Sequence, residues 1–307
     1  MQNLMPSCAS AYHTLQTTRS FPPRIESLPS GLQCYWMGSA FPSGPDATAA
    51  KGVVIWFCGG GYNIPPSMQH LRFLTHIREQ LPDVAVLVPA YSLAPATYPQ
   101  QLKEGVEVLR YVLHTLRVAP SKICVAGDSA GGNLALGVLS HVLHPHREIE
   151  PLRWIDERME YVDSPKLDSL LLMSPWCSFN MKAKMDPMYN QNKEKDLVDD
   201  RIGKKWSSAF LGGREGDAYS EPLRTRDEKG WWDGLSGSVD RVWLSAGEEE
   251  VLLGSIQEMK EVLAESHPKV ELLSAPGEWH ENACQEKPPD EVGISRDATV
   301  EFLSGRF

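Results

Sequence analysis

The chain has 307 residues, 42% of them hydrophobic, and sets 30 basic against 40 acidic residues for a formal net charge of −10. That length and apolar content suit a single α/β domain with a large core, spanning residues 1–307. An acidic protein has no electrostatic footprint for nucleic acid or anionic lipid, and no apolar run approaches a membrane span, so neither is expected as a partner.

In chain order, residues 1–30 are polar and punctuated by Pro and Ser, with no secretory-type apolar segment. Gly31 to Gly38 alternates polar and apolar residues, as an antiparallel edge strand does. Val53–Phe57, Val84–Val88, Ile123–Ala126, Leu170–Met173 and Val242–Ala246 are instead continuous apolar runs, with Val270–Leu273 as a sixth. Continuous runs fit strands buried on both faces of a parallel sheet. Helical patterns lie between them, including Tyr98 to Leu116 and Gly254 to Glu265, so a doubly wound, mostly parallel sheet is predicted. Residues 145–168 read as an exposed loop or a short extra helix. Residues 178–238 carry no strand signal but many apolar side chains (Met181, Met185, Met188, Trp206, Phe210, Trp231, Trp232). An insertion of that length between core strands usually serves a purpose, here a lid over a site. The six cysteines (Cys8, Cys34, Cys58, Cys124, Cys177 and Cys284) show no C-x-x-C pairing and read as reduced structural thiols of a cytoplasmic protein.

The chemistry centres on Ile123–Val138, where an apolar strand runs into Gly127-Asp-Ser-Ala-Gly131 and a helix of small and aliphatic residues leaves it. That context is what a nucleophile elbow needs, with glycines flanking a strained, exposed serine, here Ser129. A serine hydroxyl needs an adjacent base, and the base needs an acid to fix its tautomer. In this fold the two follow the serine on loops at the carboxyl ends of later strands, acid first. His280 follows the last strand, whereas His267 precedes it. The acid falls within Glu248–Glu250, after the strand Val242–Ala246. Gly59–Gly61, directly after the first long strand, lets backbone N–H groups approach an oxyanion together with the N–H of Ala130. Asp128 reads as a turn-stabilising carboxylate. His141, His144 and His146 sit beside Pro145 without nearby cysteine or clustered acid, so no metal is expected.

These segments together resemble the hormone-sensitive-lipase-like family of α/β-hydrolases. Gly127–Gly132 and Gly59–Gly61 carry the likeness, with Tyr91-Ser-Leu-Ala-Pro95, Ser174-Pro-Trp176, Ser245–Glu249 and Gly277–His280 in the same order. The resemblance implies an α/β-hydrolase fold and a serine carboxylesterase acting on a small-molecule ester through an acyl-enzyme, with no cofactor. It implies a triad of Ser129, Glu249 and His280, and selects Glu249 from its two neighbours. It also implies an oxyanion hole from the N–H groups of Gly60, Gly61 and Ala130, and a cap built from roughly 1–30 and 178–238. Tyr62, Trp206, Phe210 and Trp279 are the candidate substrate contacts. Three positions depart from the family pattern: Cys58 stands where a loop-supporting histidine is usual, Ser92 where an arginine is, and the acid is Glu rather than Asp. These departures leave two other readings, a biosynthetic acyl transfer, lactonisation or cyclisation with the same triad, and a non-catalytic ligand-binding member.

Overall fold

The computed structural model describes residues 5–38, 44–152, 166–181, 187–285 and 293–307; Met185 and most of the 145–168 stretch lie outside these. Helix α1 (Cys8–Thr18) is followed by two short strands, β1 (Ile25–Ser27) and β2 (Gln33–Trp36). The alternation then runs β3 (Gly52–Phe57), α2 (Met68–Gln80), β4 (Val84–Pro89), α3 (Gln100–Arg110), β5 (Ile123–Asp128), α4 (Ala130–Leu143) and β6 (Leu167–Met173). The insertion contributes α5 (Pro187–Asn192), α6 (Asp200–Leu211) and α7 (Leu235–Ser238). The chain closes with β7 (Val239–Gly247), α8 (Leu253–Ala264), β8 (Val270–Ala275) and α9 (Ile294–Ser304).

The strands form one sheet in the order β1-β2-β4-β3-β5-β6-β7-β8. β1 and β2 pair antiparallel, β2 lies antiparallel on β4, and every other pairing is parallel. Every residue of β3, β4, β5 and β6 is buried, which is why their sequences are continuously apolar. The alternating segment became β2 as predicted, but β1 lies outside it and takes the edge. Three residues are too few to carry a readable period.

Alternate residues of each strand feed two cores. Val53, Ile55 and Phe57 of β3 face α3, α4 and α8, while Val54 and Trp56 face α1, α2 and α9. Helix α1 therefore lies along the α2 side of the sheet, tied down by the Tyr12 hydroxyl, which donates to the Trp36 carbonyl at 2.8 Å. It does not lie across the carboxyl ends of the strands. Only the residues before and at its start, Met5 to Ala9, approach that end, where they line a cavity of about 520 Å³ with Pro65, Pro66, Tyr91 and Leu93.

The tightest joint is between β3 and α4. A Cβ on Gly131 would lie 1.8 Å from the Phe57 carbonyl oxygen, so helix and strand meet with no room for a methyl group. Gly131→Ala is expected to cost about 1–3 kcal/mol or more of stability, because the overlap is with rigid backbone. Urea unfolding with an unchanged midpoint would refute that.

Candidate active site

Strand β5 ends at Asp128, and the chain reverses through Ser129 at φ 50°, ψ −118° before α4 begins. A non-glycine residue holds such a conformation only when its surroundings over-determine it. Here the Ser129 N–H donates to the Met173 carbonyl at 3.0 Å, and the Ser129 carbonyl accepts from Trp176 and Asn133 at 2.9 and 3.0 Å. Ser129 Oγ then lies 2.9 Å from His280 Nε2, 151 residues away in the chain. His280 is carried on the turn after β8, as the order of motifs predicted.

The carboxylate that meets His280 is not the one selected by resemblance. Glu250 Oε2, not Glu249, lies 3.1 Å from His280 Nδ1, with the Glu250 side chain 0% exposed. Glu249 turns outward, 36% exposed, and pairs with Lys195 at 3.1 Å. The physical reason is the course of the chain after β7. The Glu249 N–H donates to the Glu278 carbonyl and the Glu250 N–H folds back to Gly247, so successive side chains of the turn diverge. A signal for Glu250 existed in the sequence: Val251, Leu252 and Leu253 follow it directly, and all three are buried. The side chain adjoining that run is drawn inward with it.

Electrostatics follow from burial. Burial pulls His280 down, but the Glu250 hydrogen bond and the charges of Glu281 and Glu250 outweigh it and raise its pKa to about 9. Burial raises Glu250 above the usual carboxylate range despite the bond to His280.

The glycine loop is held from beneath by Asp128. One Asp128 oxygen accepts the Trp56 indole N–H and the other the Gly59 N–H, both at 2.6 Å. This is the turn-stabilising role read from the sequence. The buried Cys58 thiol makes no hydrogen bond to the loop among the described residues, and its carbonyl accepts from the Tyr91 hydroxyl. Asp128 and Tyr91 thus secure the loop that a histidine supports elsewhere in the family. The N–H groups of Gly60, Gly61 and Ala130 donate to no acceptor among the described residues. The other departure is accommodated as simply: Ser92 donates through both its N–H and its hydroxyl to the buried Glu104, each at 2.6 Å.

The predicted substrate contacts divide. Trp206 packs on the glycine loop so closely that a Cβ on Gly61 would lie 2.2 Å from its ring, and it stays half-buried; Trp279 is also half-buried beside His280. Tyr62 and Phe210 do not face a cleft. They stack on each other with centroids 3.8 Å apart, both essentially sealed, and the Tyr62 hydroxyl donates to Asn133. A backbone φ of 60° at Tyr62 turns its ring into the core, where it joins the loop to α6.

Two groups of functional interest escaped the sequence reading. Asn192, at the end of α5, donates to the carbonyls of Glu248 and Glu250, and Asp196 accepts from the backbone N–H groups of Val251 and His280 at 2.6 and 3.1 Å. The insertion therefore grips the acid turn and the histidine loop together. The second group is His70, Asp128 and Glu281, whose donor atoms lie within 4.8 Å of one another, the one set among the described residues with that convergence. His70 Nε2 is 3.1 Å from Asp128 and 3.6 Å from Glu281. Burial opposes a charge on His70, yet the two carboxylates raise its pKa well above the usual histidine range. The carboxylates are thus met by His70 Nε2 and by the Trp56 and Gly59 N–H groups. His141 and His144 each engage a separate backbone carbonyl instead, those of Glu150 and Trp231.

A model of the alpha/beta hydrolase fold matches residues 54–283. The chain belongs to that family. Steryl acetyl hydrolase 1 of Saccharomyces cerevisiae is 26% identical to this chain over 222 residues, covering 69% of the chain and 47% of that relative. Human hormone-sensitive lipase is 31% identical over 216 residues, covering 60% of the chain and 20% of the relative. The matched region thus takes in less than half of each relative's length. A crystal structure of a hormone-sensitive lipase homologue from a metagenome library shares the fold, with a TM-score of 0.70 at 21% identity, over 96% of this chain and 92% of that one. No helix among the described residues is long and apolar enough to cross a membrane.

If Asp196 anchors both loops, Asp196→Ala should speed hydrogen exchange of the Val251 and His280 amides together, by about tenfold for a lost charge-assisted bond. Exchange of either amide at the wild-type rate would remove it as their common anchor.

Proposed function

We propose that this hydrolase is a serine carboxylesterase in which Ser129 attacks the ester carbonyl, His280 accepts and returns the proton, and Glu250 orients His280. The observation that carries the reading is the unbroken chain from Ser129 Oγ to His280 Nε2 and from His280 Nδ1 to Glu250, all three residues buried. Serine and histidine in contact give the nucleophile its base, and the carboxylate stabilises the imidazolium that forms. The uncommitted N–H groups of Gly60, Gly61 and Ala130 are the donors for the tetrahedral oxyanion. Proton transfer to the leaving alcohol releases it and leaves an acyl-enzyme, which water then hydrolyses by the same route. Trp206 and Trp279 flank the reacting groups as substrate contacts, under a cap supplied by the 178–238 insertion. The named relatives act on an acetylated sterol and as a lipase, so acetate is the first acyl group to try. Six buried, unbridged cysteines support a reducing compartment, the cytoplasm.

Hydrolysis of p-nitrophenyl esters from acetate to decanoate tests the reading. Ser129→Ala should lose turnover by roughly ten-thousandfold or more, and Glu250→Gln by about a thousandfold. Glu249→Gln should stay within about twofold, as for a surface residue. Equal losses in the two glutamate variants would reassign the acid, and full activity without Ser129 would end the proposal.

The pH profile is a second check. A base must be neutral to accept a proton, and the pKa of His280 is raised to about 9. kcat/KM should therefore climb through neutrality and level off only above about pH 9. A plateau already reached by pH 7 would contradict that balance of charges.

A further inference from the structure

Glu281 directly follows His280 and sits at φ 57°, a conformation that a side chain of its kind adopts only under constraint. The turn directs its carboxylate back into the reaction centre. Glu281 Oε1 lies 4.0 Å from His280 Nε2, the nitrogen that faces Ser129, and a Cβ on Gly59 would lie 2.1 Å from the same oxygen. The centre thus holds a second carboxylate, 4.0 Å from the reacting nitrogen, that the triad does not use.

A carboxylate has about four acceptor positions. Glu281 spends one toward His70, whose Nε2 is 3.6 Å from Oε2, and lies beside Asp128 in the same cluster. Burial works against its ionisation, but the bond to His70 and the charges of His70 and His280 hold its pKa down to about 2. Its side chain remains 17% exposed, against 9% for His70, 4% for His280 and 0% for Asp128. Of this group, Glu281 is the most exposed.

Resting on the esterase reading, we propose that Glu281 selects the alcohol half of the ester, accepting a hydrogen bond from a hydroxyl on the carbon next to the one bearing the scissile oxygen. Monoesters of vicinal diols are then the substrate class. The leaving oxygen takes its proton from His280 Nε2 and must come within about 3 Å of it. A hydroxyl two carbons along from that oxygen falls within reach of an acceptor 4.0 Å from the same nitrogen. A plain alkyl group there would cover a charged acceptor and give it no donor, which is what makes polar sites reject analogues that lack the polar group. The chemistry is ordinary ester hydrolysis: the acyl–oxygen bond breaks, the diol leaves with the proton from His280, and water supplies the acid product.

The test compares 2-hydroxyethyl acetate with propyl acetate, in which a methyl replaces the hydroxyl. kcat/KM is measured by pH-stat on wild type, Glu281→Gln and Glu281→Met, with active sites counted by fluorophosphonate labelling of Ser129. Wild type should favour the hydroxyethyl ester by about tenfold or more, the usual worth of a hydrogen bond to a charged group. The ratio should fall toward one in Glu281→Met and lie between in Glu281→Gln, which keeps one neutral acceptor. Comparing two esters on the same labelled sites cancels any loss of folded protein. A wild-type ratio near one, or a ratio that survives in Glu281→Met, overturns the assignment even while both esters are cleaved. Inertness toward both esters with no labelling at Ser129 overturns instead the hydrolase reading beneath it.

Discussion

Asp128 ends the central strand with its carboxylate sealed from solvent, and three elements take their positions from it. The Trp56 indole fixes it to the neighbouring strand, the Gly59 N–H hangs the glycine loop on it, and His70 brings in the start of α2. Burial raises the pKa of Asp128, and a carboxyl at such depth is tolerated only when its oxygens are occupied. The donors therefore cannot be relaxed one at a time, and the loop beside Ser129 has a fixed height above the sheet. The next residue carries the strained backbone of the elbow, so the buried carboxyl and Ser129 are set by one short piece of chain.

From there the site is assembled by convergence rather than proximity in sequence. Three carboxyl ends of parallel strands, those of β5, β7 and β8, bring serine, acid and histidine together. The parallel register leaves the turns after these strands on one edge of the sheet. The hydrogen bond between the Ser174 N–H and the Ser245 carbonyl ties β6 to β7 at the point where the acid turn begins. Catalytic geometry is a property of the sheet edge, and the loops elaborate it.

How much of this was legible depended on whether the signal was local. Five of the six predicted strands were readable because double-sided burial leaves a largely continuous apolar run, while the half-buried edge strand β8 was read from its position; Ser129 and His280 were readable because each stands at a strand end with a recognisable motif. The carboxylate beside His280 is Glu250, one position past the expected Glu249. Resemblance counts residues from a strand end, whereas the turn from Gly247 to Glu250 decides which side chain faces in. Tyr62 and Phe210 were misplaced because an aromatic side chain suits a pocket wall and a packed core equally well, and only the backbone direction separates the two. The His70, Asp128 and Glu281 group had no local signal at all, since its members come from three segments that meet only in the fold. Asn192 and Asp196 were hidden for the same reason.

The grip of Asn192 and Asp196 on the turn after β7 and the loop of His280 means that the insertion and the proposed site are not separable modules. In many lidded enzymes the covering segment can be exchanged to alter what is admitted while the chemistry stays intact. Here the linker between α5 and α6 is also part of the scaffold that sets the distance from Glu250 to His280. A graft that imports another protein's cap would have to carry an amide and a carboxylate at these two places. Without them, a redesign intended to change selectivity would be read out as lost turnover. Diversification of this chain is thereby channelled into the cap's surface and its apolar wall, away from the strand of linker that touches the sheet edge.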